Sequence, residues 1–272
     1  FSIAKCCILF YYGINMLRSG SYFVYRNFAY TNHFGDIYIS PVTHLPCVQV
    51  MGNALIPMAF VFNDMYSQSK KVIKNIVSII FLLGTLTAGN AAFLICVALY
   101  GFYRLITRIL YSDRSQIKKA FLSFVLFVLV VLFIIASIFI LQQKASWSNA
   151  VRGAQAKILL SGNFVTGNGL ANPIYGFAVD RTYDGTNLYF ELQTLYILNQ
   201  IGVLGIIIFY LLMYLGLQPH GKRVLVLFFI YLLYTFWNPY CFDTTEMITV
   251  IMLINLDKRK EADMLNIEGQ RC

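Results

Sequence analysis

Long apolar stretches alternate with short polar ones along almost the whole chain. A helix that crosses a bilayer needs about 20 mostly apolar residues, and residues 120–141 reach this length without a single charge. Five further stretches predict spans that are shorter or contain polar residues. They are 1–17, 46–62, 190–217, 224–237 and, at about half a span, 247–256. The pattern therefore predicts a polytopic helical membrane protein.

The apolar stretch 76–103 is too long for one ordinary span. Thr85, Thr87, Gly89 and Asn90 interrupt its middle, and glycine followed by asparagine favours a turn. We therefore predict two short helices that meet at Gly89 and Asn90. The alternative is one long tilted helix with a glycine inside it.

The composition agrees with an integral membrane protein. Hydrophobic residues make up 58% of the chain and charged residues 12%, about half the charged fraction of soluble domains. So few charges do not cover a water-exposed surface, and the same composition excludes a disordered chain, a collagen and a disulfide scaffold. We expect the net charge of +9 to orient the chain in the membrane rather than to bind nucleic acid.

The basic residues divide unequally between the predicted loops, with fourteen of 21 in one set of alternate loops and six in the other. The basic set comprises 63–75, 104–119, 218–223 and 257–272, and the other set comprises 18–45 and 142–189. Because loops rich in lysine and arginine stay in the cytoplasm, the basic set is predicted to be cytoplasmic and the other set periplasmic. This alternation requires two helices in the stretch 76–103 and gives about eight spans.

We therefore predict an all-α fold, with residues 1–272 forming a single integral membrane domain. Residues 18–45 are the first periplasmic loop, 142–189 a long periplasmic loop and 257–272 a cytoplasmic tail. Phe1 lies inside an apolar run that lacks the basic start of a signal peptide. We interpret the chain as the C-terminal part of a longer protein.

Motifs for nucleotide, dinucleotide or metal binding are absent from the sequence. It has no P-loop, no dinucleotide fingerprint and no nucleophile elbow, and its three histidines do not have the spacing of a metal site. Its six cysteines form no C-x-x-C pair, and most lie in or beside apolar stretches, where they are expected to pack as small side chains. Any chemistry is therefore expected in the loops.

The long periplasmic loop contains a glycine-rich stretch that is a candidate binding site. Gly167, Asn168 and Gly169 allow the backbone to approach a ligand closely or to direct amide N–H groups at an anion. Arg152 and Arg181 flank this stretch, and a guanidinium can bind two phosphate oxygens at once. The alternatives are a plain surface turn and arginines that extend to the lipid headgroups.

Acidic residues cluster where this loop returns to the membrane. Asp184 and Glu191 are candidate catalytic residues, because a carboxylate near the interface can accept the proton of a sugar hydroxyl. Asn187 and Tyr189, between them, are candidate substrate contacts. Helix capping is the alternative, with Thr186 or Asn187 as the N-cap and Glu191 near the positive end of the helix.

The helix that follows carries a polar stripe. Tyr189, Gln193, Tyr196 and Gln200 share one helical face, with Asn199 one turn from Tyr196. Polar side chains at membrane depth usually face a bundle interior or a wet cavity. Gln193 is therefore a candidate substrate contact, and hydrogen bonds between helices are the alternative.

Two further segments carry polar or aromatic side chains that deserve testing. The first periplasmic loop is dense in aromatic residues, which are typical of an interfacial belt and also suit stacking on sugars. Arg26 and His33 are its candidate substrate-binding residues. Later in the chain, Asp243 and Glu246 have capping-box spacing, and we prefer that interpretation to a catalytic role.

The order of these parts resembles a known family. Thr-x-Gly-Asn at 87–90, Gly-Asn-Gly at 167–169, Asn-Leu-Tyr at 187–189 and Gln-Ile-Gly-Val-Leu-Gly at 200–205 follow one another within 76–256. This arrangement resembles the O-antigen polymerase and O-antigen ligase superfamily.

The resemblance implies a bacterial inner-membrane enzyme that transfers glycan from undecaprenyl diphosphate without a metal or nucleotide cofactor. It implies that Arg152 and Arg181 hold the diphosphate and that Asp184, near the place where many ligases carry a histidine, helps to activate the acceptor hydroxyl. The loop 142–189 contains no histidine, which favours a polymerase over a ligase. Family members often show Ser-Arg at the helix break, where this chain has Gly-Asn.

We therefore expect a polymerase of O-antigen or capsular repeat units, with a cytoplasmic C-terminus. Its expected partners are the lipid-linked oligosaccharide, the bilayer, and the chain-length regulator and flippase of the same pathway, but not nucleic acid. The alternatives are a ligase that moves glycan onto a lipid core and a polysaccharide flippase or transporter. A flippase is expected to carry charges within its helices, whereas here, apart from Lys5, charges lie in loops or at helix ends.

Overall fold

The fold is predominantly α-helical, as predicted. The structure is a computed structural model that describes residues 1–19, 22–32, 35–40, 44–50, 52–111, 115–143, 146–170, 192–236 and 242–255. Helices account for 79% of these residues.

The helices and strands are numbered in chain order. The helices are α1 Ser2–Ser19, α2 Tyr22–Thr31, α3 Leu55–Tyr66, α4 Lys71–Thr87, α5 Ala91–Leu110, α6 Gln116–Gln143, α7 Ser146–Leu159, α8 Gln193–Leu217, α9 Gly221–Thr235 and α10 Thr244–Asn255. A 3₁₀ turn, Gln218–His220, joins α8 to α9, and strands β1 Gly35–Ile39 and β2 Pro46–Val50 lie between α2 and α3.

Three helical stretches in the described part of the chain are long and apolar enough to cross a membrane. They are Ala91–Leu110, Gln116–Ile135 and Gln193–Thr235, the last of which contains both α8 and α9. The side chains of α6 between Gln116 and Ile135 are largely exposed, among them Phe121, Phe124 and Phe127, as expected of a lipid-facing helix. These stretches support a membrane protein, while the number of eight spans remains a prediction.

The predicted break in the stretch 76–103 is confirmed. Helix α4 ends at Thr87, Gly89 adopts a φ of 67° and α5 begins at Ala91. Asn90 is the N-cap of α5, since its side chain accepts a hydrogen bond of 3.0 Å from the amide of Ala92. A Cβ at position 89 would collide with Cys47, so glycine also allows β2 to pack against this turn.

One ionic cluster shows that α4 and α5 run in opposite directions. Asp64, in the last turn of α3, pairs with Lys74 at the start of α4 and with Arg104 near the end of α5, at 3.4 and 3.1 Å. Tyr100 of α5 donates a hydrogen bond of 2.5 Å to the same carboxylate. The loops 63–75 and 104–119 therefore lie at one end of the bundle, which we call the basic end.

Helices α8 and α9 form an antiparallel pair whose connecting turn also lies at the basic end. Thr194, at the start of α8, donates a hydrogen bond of 2.9 Å to the carbonyl oxygen of Phe236, just after α9. Phe93, at the start of α5, meets Tyr234 near the end of α9, with ring centroids 6.2 Å apart. The opposite end of the bundle, which we call the loop end, thus contains the starts of α5 and α8 and the end of α9.

The predicted span 46–62 is wrong. Residues Pro46–Val50 form β2, which pairs antiparallel with β1 in the register Ile37 to Val48, and α3 contains only 12 residues. A short apolar run fits a buried strand as well as a helix, and Pro46 begins the strand. Asn53 stabilises the turn into α3, since its side chain donates a hydrogen bond of 2.7 Å to the carbonyl oxygen of Val48.

The buried core connects the hairpin to the helices. Its fully buried side chains include Ile37 of β1, Ile56 of α3 and Tyr231 of α9. Tyr234, also buried, donates a hydrogen bond of 2.7 Å to the carbonyl oxygen of Ala54. Cys6, Cys47 and Cys96 are buried free thiols.

Candidate functional site at the loop end

Helix α8 is interrupted about ten residues after its start. Gly202 has a φ of 69° and a ψ of 177°, a region of backbone conformation that is essentially restricted to glycine. The interruption removes helical partners from the carbonyl groups before it and from the amide groups after it. In a membrane helix such groups must find other partners within the protein.

The glycine-rich loop supplies those partners. The amides of Asn168 and Gly169 donate to the carbonyl oxygens of Asn199 and Gln200, at 2.8 and 3.0 Å. In return, the amides of Val203 and Leu204 donate to the carbonyl oxygens of Phe164 and Val165, at 2.8 and 3.2 Å. The loop therefore replaces a missing turn of α8 with four backbone hydrogen bonds.

Close approach of two backbones explains the glycines on both sides of this contact. A Cβ at Gly167, whose φ is 76°, would collide with the carbonyl oxygen of Gln200, and a Cβ at Gly202 would collide with that of Val165. From the sequence, the glycines were expected to let a ligand approach the backbone closely. In the structure they let another segment of the chain approach it instead. The amides of Gly167, Asn168 and Gly169 all donate within the protein and are therefore engaged before any anion arrives.

Asn163 and Asn168 hold the loop in shape. The side chain of Asn163 accepts from the amide of Val165 at 3.1 Å and donates to the hydroxyl of Thr166 at 2.9 Å. The side chain of Asn168 accepts from the amide of Asn163 at 3.2 Å. Asparagine suits such turns because its side chain imitates a backbone group. Asn168 itself is exposed, so its amide side chain remains a candidate substrate contact.

Arg152 lies on α7, which the structure attaches to the same part of α8. The carbonyl oxygen of Leu159, the last residue of α7, accepts a hydrogen bond of 2.9 Å from the buried side chain of Asn199. Leu159 also packs with Leu192 just before α8. Arg152 is half-buried about two turns before Leu159, on the helix that the structure attaches to α8.

The polar stripe of α8 largely forms hydrogen bonds between segments, which is the alternative that the sequence analysis left open. Gln193 accepts a hydrogen bond of 3.2 Å from the amide of Phe242, which places residue 242 at the loop end. Asn199 contacts α7 as described, and Gln200 is buried. Gln193 thus has a positioning role here, while substrate contact by Gln193 remains a prediction.

Arg26 forms part of a separate group on α2 and β1. Its guanidinium donates two hydrogen bonds to the carboxylate of Asp36, at 2.8 and 3.2 Å. Asp36 also accepts from the amide of Ile37 at 2.8 Å. The hairpin that carries Asp36 packs through Cys47 against Gly89, at the loop end. Arg26 therefore lies at the same end of the bundle as Arg152, but its guanidinium is already paired with the carboxylate of Asp36.

Six of the predicted site residues lie outside the described residues. They are His33, Arg181, Asp184, Asn187, Tyr189 and Glu191. Leu192, the first described residue after 171–191, packs with Leu159 of α7.

Glu246 is a polar residue whose environment the sequence analysis missed. Asp243 caps α10 as predicted, accepting from the amide of Thr245 at 2.8 Å and from that of Glu246 at 3.3 Å. Glu246, however, is fully buried, and neither of its carboxylate oxygens has a hydrogen-bond partner among the described residues. It precedes the apolar stretch 247–256 and lies outside the three spanning stretches. Burial and then the charge of Asp243 raise the pKa of Glu246 to about 8.

Comparison of the whole chain with protein-family models, with curated proteins and with solved structures gave no match. The functional conclusion therefore depends on the residues and contacts described above.

Proposed function

We propose that the chain is a membrane glycosyltransferase that polymerises oligosaccharide repeat units carried on undecaprenyl diphosphate. One observation carries the proposal. Two of the stretches that carry the family resemblance, Gly-Asn-Gly at 167–169 and Gln-Ile-Gly-Val-Leu-Gly at 200–205, bond to each other through their backbones. They are separated in the sequence but form one structural unit, which also includes the helix that carries Arg152.

The chemistry of such a transfer suits the residues at the loop end. A diphosphate is an activated leaving group, so the reaction requires no nucleotide. Arginine side chains at positions 152 and 181 would stabilise the negative charge that develops on the departing diphosphate. A carboxylate at Asp184 or Glu191 would accept the proton of the acceptor hydroxyl. In this proposal the interrupted helix α8 and the loop docked on it fix the positions of the segments that carry these arginines.

The orientation of the bundle supports the same proposal. The loops at the basic end carry the lysines and arginines that favour a cytoplasmic location, and a cytoplasmic basic end supports a periplasmic loop end. Repeat units are polymerised on that side in the family that the sequence resembles. The ligase alternative fits the fold equally, and the absence of histidine from 142–189 favours the polymerase.

A carrier of lipid-linked saccharide is the second candidate function, and Glu246 favours it. A buried acid inside a helical membrane bundle is a recurrent feature of proton-coupled transport. The sequence favoured surface chemistry over a flippase because, apart from Lys5, charged residues lay in loops or at helix ends. Burial of Glu246 weakens that argument.

Deletion of the gene in its host tests the proposal through the length distribution of surface glycan on a gel. A polymerase predicts that single repeat units cap the lipid. A ligase predicts that lipid-attached glycan is lost while polymer accumulates on its carrier. A flippase predicts that lipid-linked repeat units accumulate on the cytoplasmic side. Unchanged surface glycan contradicts all three.

Arg152→Ala is expected to reduce polymer at least about tenfold in the complemented deletion strain, because a charge-assisted hydrogen bond contributes about 1.5–3 kcal/mol. The measurement is the ratio of polymer to single repeat units, normalised to the amount of protein in the membrane. Lys157→Ala is the matched control, since Lys157 is an exposed cation on the same helix. Equal effects of the two substitutions would contradict a phosphate-binding role for Arg152.

A further inference from the structure

Helix α10 has an unusual division between its two faces. Glu246, Thr249 and Leu253, at positions i, i+3 and i+7, are all fully buried and share one side. Leu253 belongs to the main core cluster, so this side faces the interior of the bundle. Ile248 and Ile251 on the other side are exposed. The helix therefore directs Glu246 and Thr249 inward, while part of its apolar surface, including Ile248 and Ile251, faces outward.

Hydrogen bonds among the described residues do not explain why these polar groups face inward. Neither carboxylate oxygen of Glu246 nor the hydroxyl of Thr249 has a hydrogen-bond partner among the described residues. Buried polar groups are nearly always hydrogen-bonded, and exceptions call for an explanation. Burying a carboxyl group costs far more free energy when it is ionised than when it is protonated. A group that only needed to fill this space would be apolar, as Leu253 is.

We propose that Glu246, together with Thr249, forms an internal proton-binding site at the loop end of the bundle, where Glu246 is held as a neutral carboxylic acid and exchanges its proton with the aqueous side. The ligand is a proton. Thr249 lies one turn further along the same buried face. The partly exposed carboxylate of Asp243, one turn before Glu246, lies between this site and water.

The contacts of α10 show that the site lies near the loop end. The amide of Phe242 bonds to Gln193 at the start of α8, and Asp243 caps α10 directly after it. Glu246 thus lies one helical turn inside the loop end. Among the described residues, Asp243 is the charged group whose field acts on Glu246, and this field favours the protonated form.

An apolar carbodiimide tests the proposal directly, because it reacts with protonated carboxylic acids in apolar surroundings. The acid transfers its proton to one nitrogen of the carbodiimide, and the carboxylate oxygen then bonds to the central carbon to give an acylisourea. The full chain in membrane vesicles is treated with dicyclohexylcarbodiimide, and the modified residue is identified by mass spectrometry of peptides. We expect an adduct at Glu246 that forms about tenfold more slowly at pH 9 than at pH 7.

Two controls keep the interpretation specific. A water-soluble carbodiimide is expected to leave Glu246 unmodified while it reaches Asp36, whose side chain is 36% exposed. Glu246→Gln is expected to fold normally and to remove the adduct. The proposal is overturned if the apolar reagent fails to modify Glu246, if the water-soluble reagent modifies it equally, or if the rate does not fall as the pH rises.

Asp243→Asn adds an internal test of the geometry. Asparagine retains the oxygen that caps α10 but removes the negative charge that favours protonation of Glu246. The pH at which the labelling rate is halved is therefore expected to fall, and a midpoint that stays or rises contradicts the site as described. Proton binding is measured without glycan, so the site goes beyond the proposed function and its failure is distinguishable from failure of the glycan experiment.

Discussion

Gly202→Ala is expected to lower the free energy of unfolding by about 3 kcal/mol and to detach the glycine-rich loop from α8. An alanine at this φ and ψ costs about 1–3 kcal/mol, and its Cβ would collide with the backbone of Val165 and Gly167. Relief of the collision separates the two segments and sacrifices backbone hydrogen bonds that contribute about 0.5–1.5 kcal/mol each. Hydrogen exchange of the amides of Asn168, Gly169, Val203 and Leu204 measures the effect, and we expect it to accelerate more than about 100-fold.

Gly216→Ala is the matched control for this prediction. Gly216 lies in the same helix, has ordinary helical geometry and has open space around the position of a Cβ. Alanine is favoured over glycine inside a helix by about 1 kcal/mol, so this variant should be at least as stable as the parent. Similar exchange rates in Gly202→Ala and in the parent would show that the loop does not depend on the break in α8.

Asp64→Asn is expected to destabilise the basic end by about 2 kcal/mol. The substitution keeps an oxygen for Tyr100 but leaves Lys74 and Arg104 without their counter-charge. The cost falls below that of a fully buried ion pair because the side chain of Arg104 is 54% exposed. Thermal unfolding of the purified protein in detergent measures the change.

The pH dependence of this effect follows from the ionisation of Asp64, which lies outside the three spanning stretches. Burial acts to raise its pKa, but the hydrogen bond from Tyr100 and the charges of Arg104 and Lys74 outweigh burial and leave the pKa below its usual value. A lowered pKa means that the stabilisation is fully present above the ordinary value of about 3.9. It is lost as the pH falls through the lower pKa of the folded state. The difference between parent and Asp64→Asn should therefore be constant near neutral pH and shrink in acid.

Asp36→Asn is the control for the ionic cluster. The pair between Arg26 and Asp36 has similar geometry, but its side chains are 41% and 36% exposed, and exposed pairs contribute about 0–1 kcal/mol. Equal destabilisation by the two substitutions would show that the network around Asp64 adds nothing beyond a surface pair. A larger effect at Asp64 would confirm that the network holds α3, α4 and α5 together.

The helix break at Gly89 and Asn90 was predictable because it depends on local chemistry. A glycine at positive φ followed by an asparagine cap specifies a turn within four residues, and the distribution of charge required the same reversal. The charge pattern also grouped the loops 63–75, 104–119 and 218–223 correctly at one end. The count of spans behind that grouping nevertheless included 46–62, which forms a strand and a short helix.

The hairpin and the break in α8 were not predictable in the same way. The run 46–62 is mostly apolar, so it fits a strand or a helix, and the choice depends on a partner at 35–39. Gly202 lies inside a long apolar stretch, and its left-handed backbone makes sense only beside a loop more than 30 residues earlier. Burial of Glu246 likewise depends on the packing of α10.

By itself the sequence determined that the fold is mostly helical, that it contains helices long and apolar enough to cross a membrane, and where most helices lie, because apolar length acts locally along the chain. Only the tertiary structure decided that the glycine-rich loop completes α8, that α7 is attached to the same part of α8, and that Glu246 is buried without a hydrogen-bond partner among the described residues. Those features arise where segments far apart in the chain meet, since burial and backbone pairing are properties of neighbours in space.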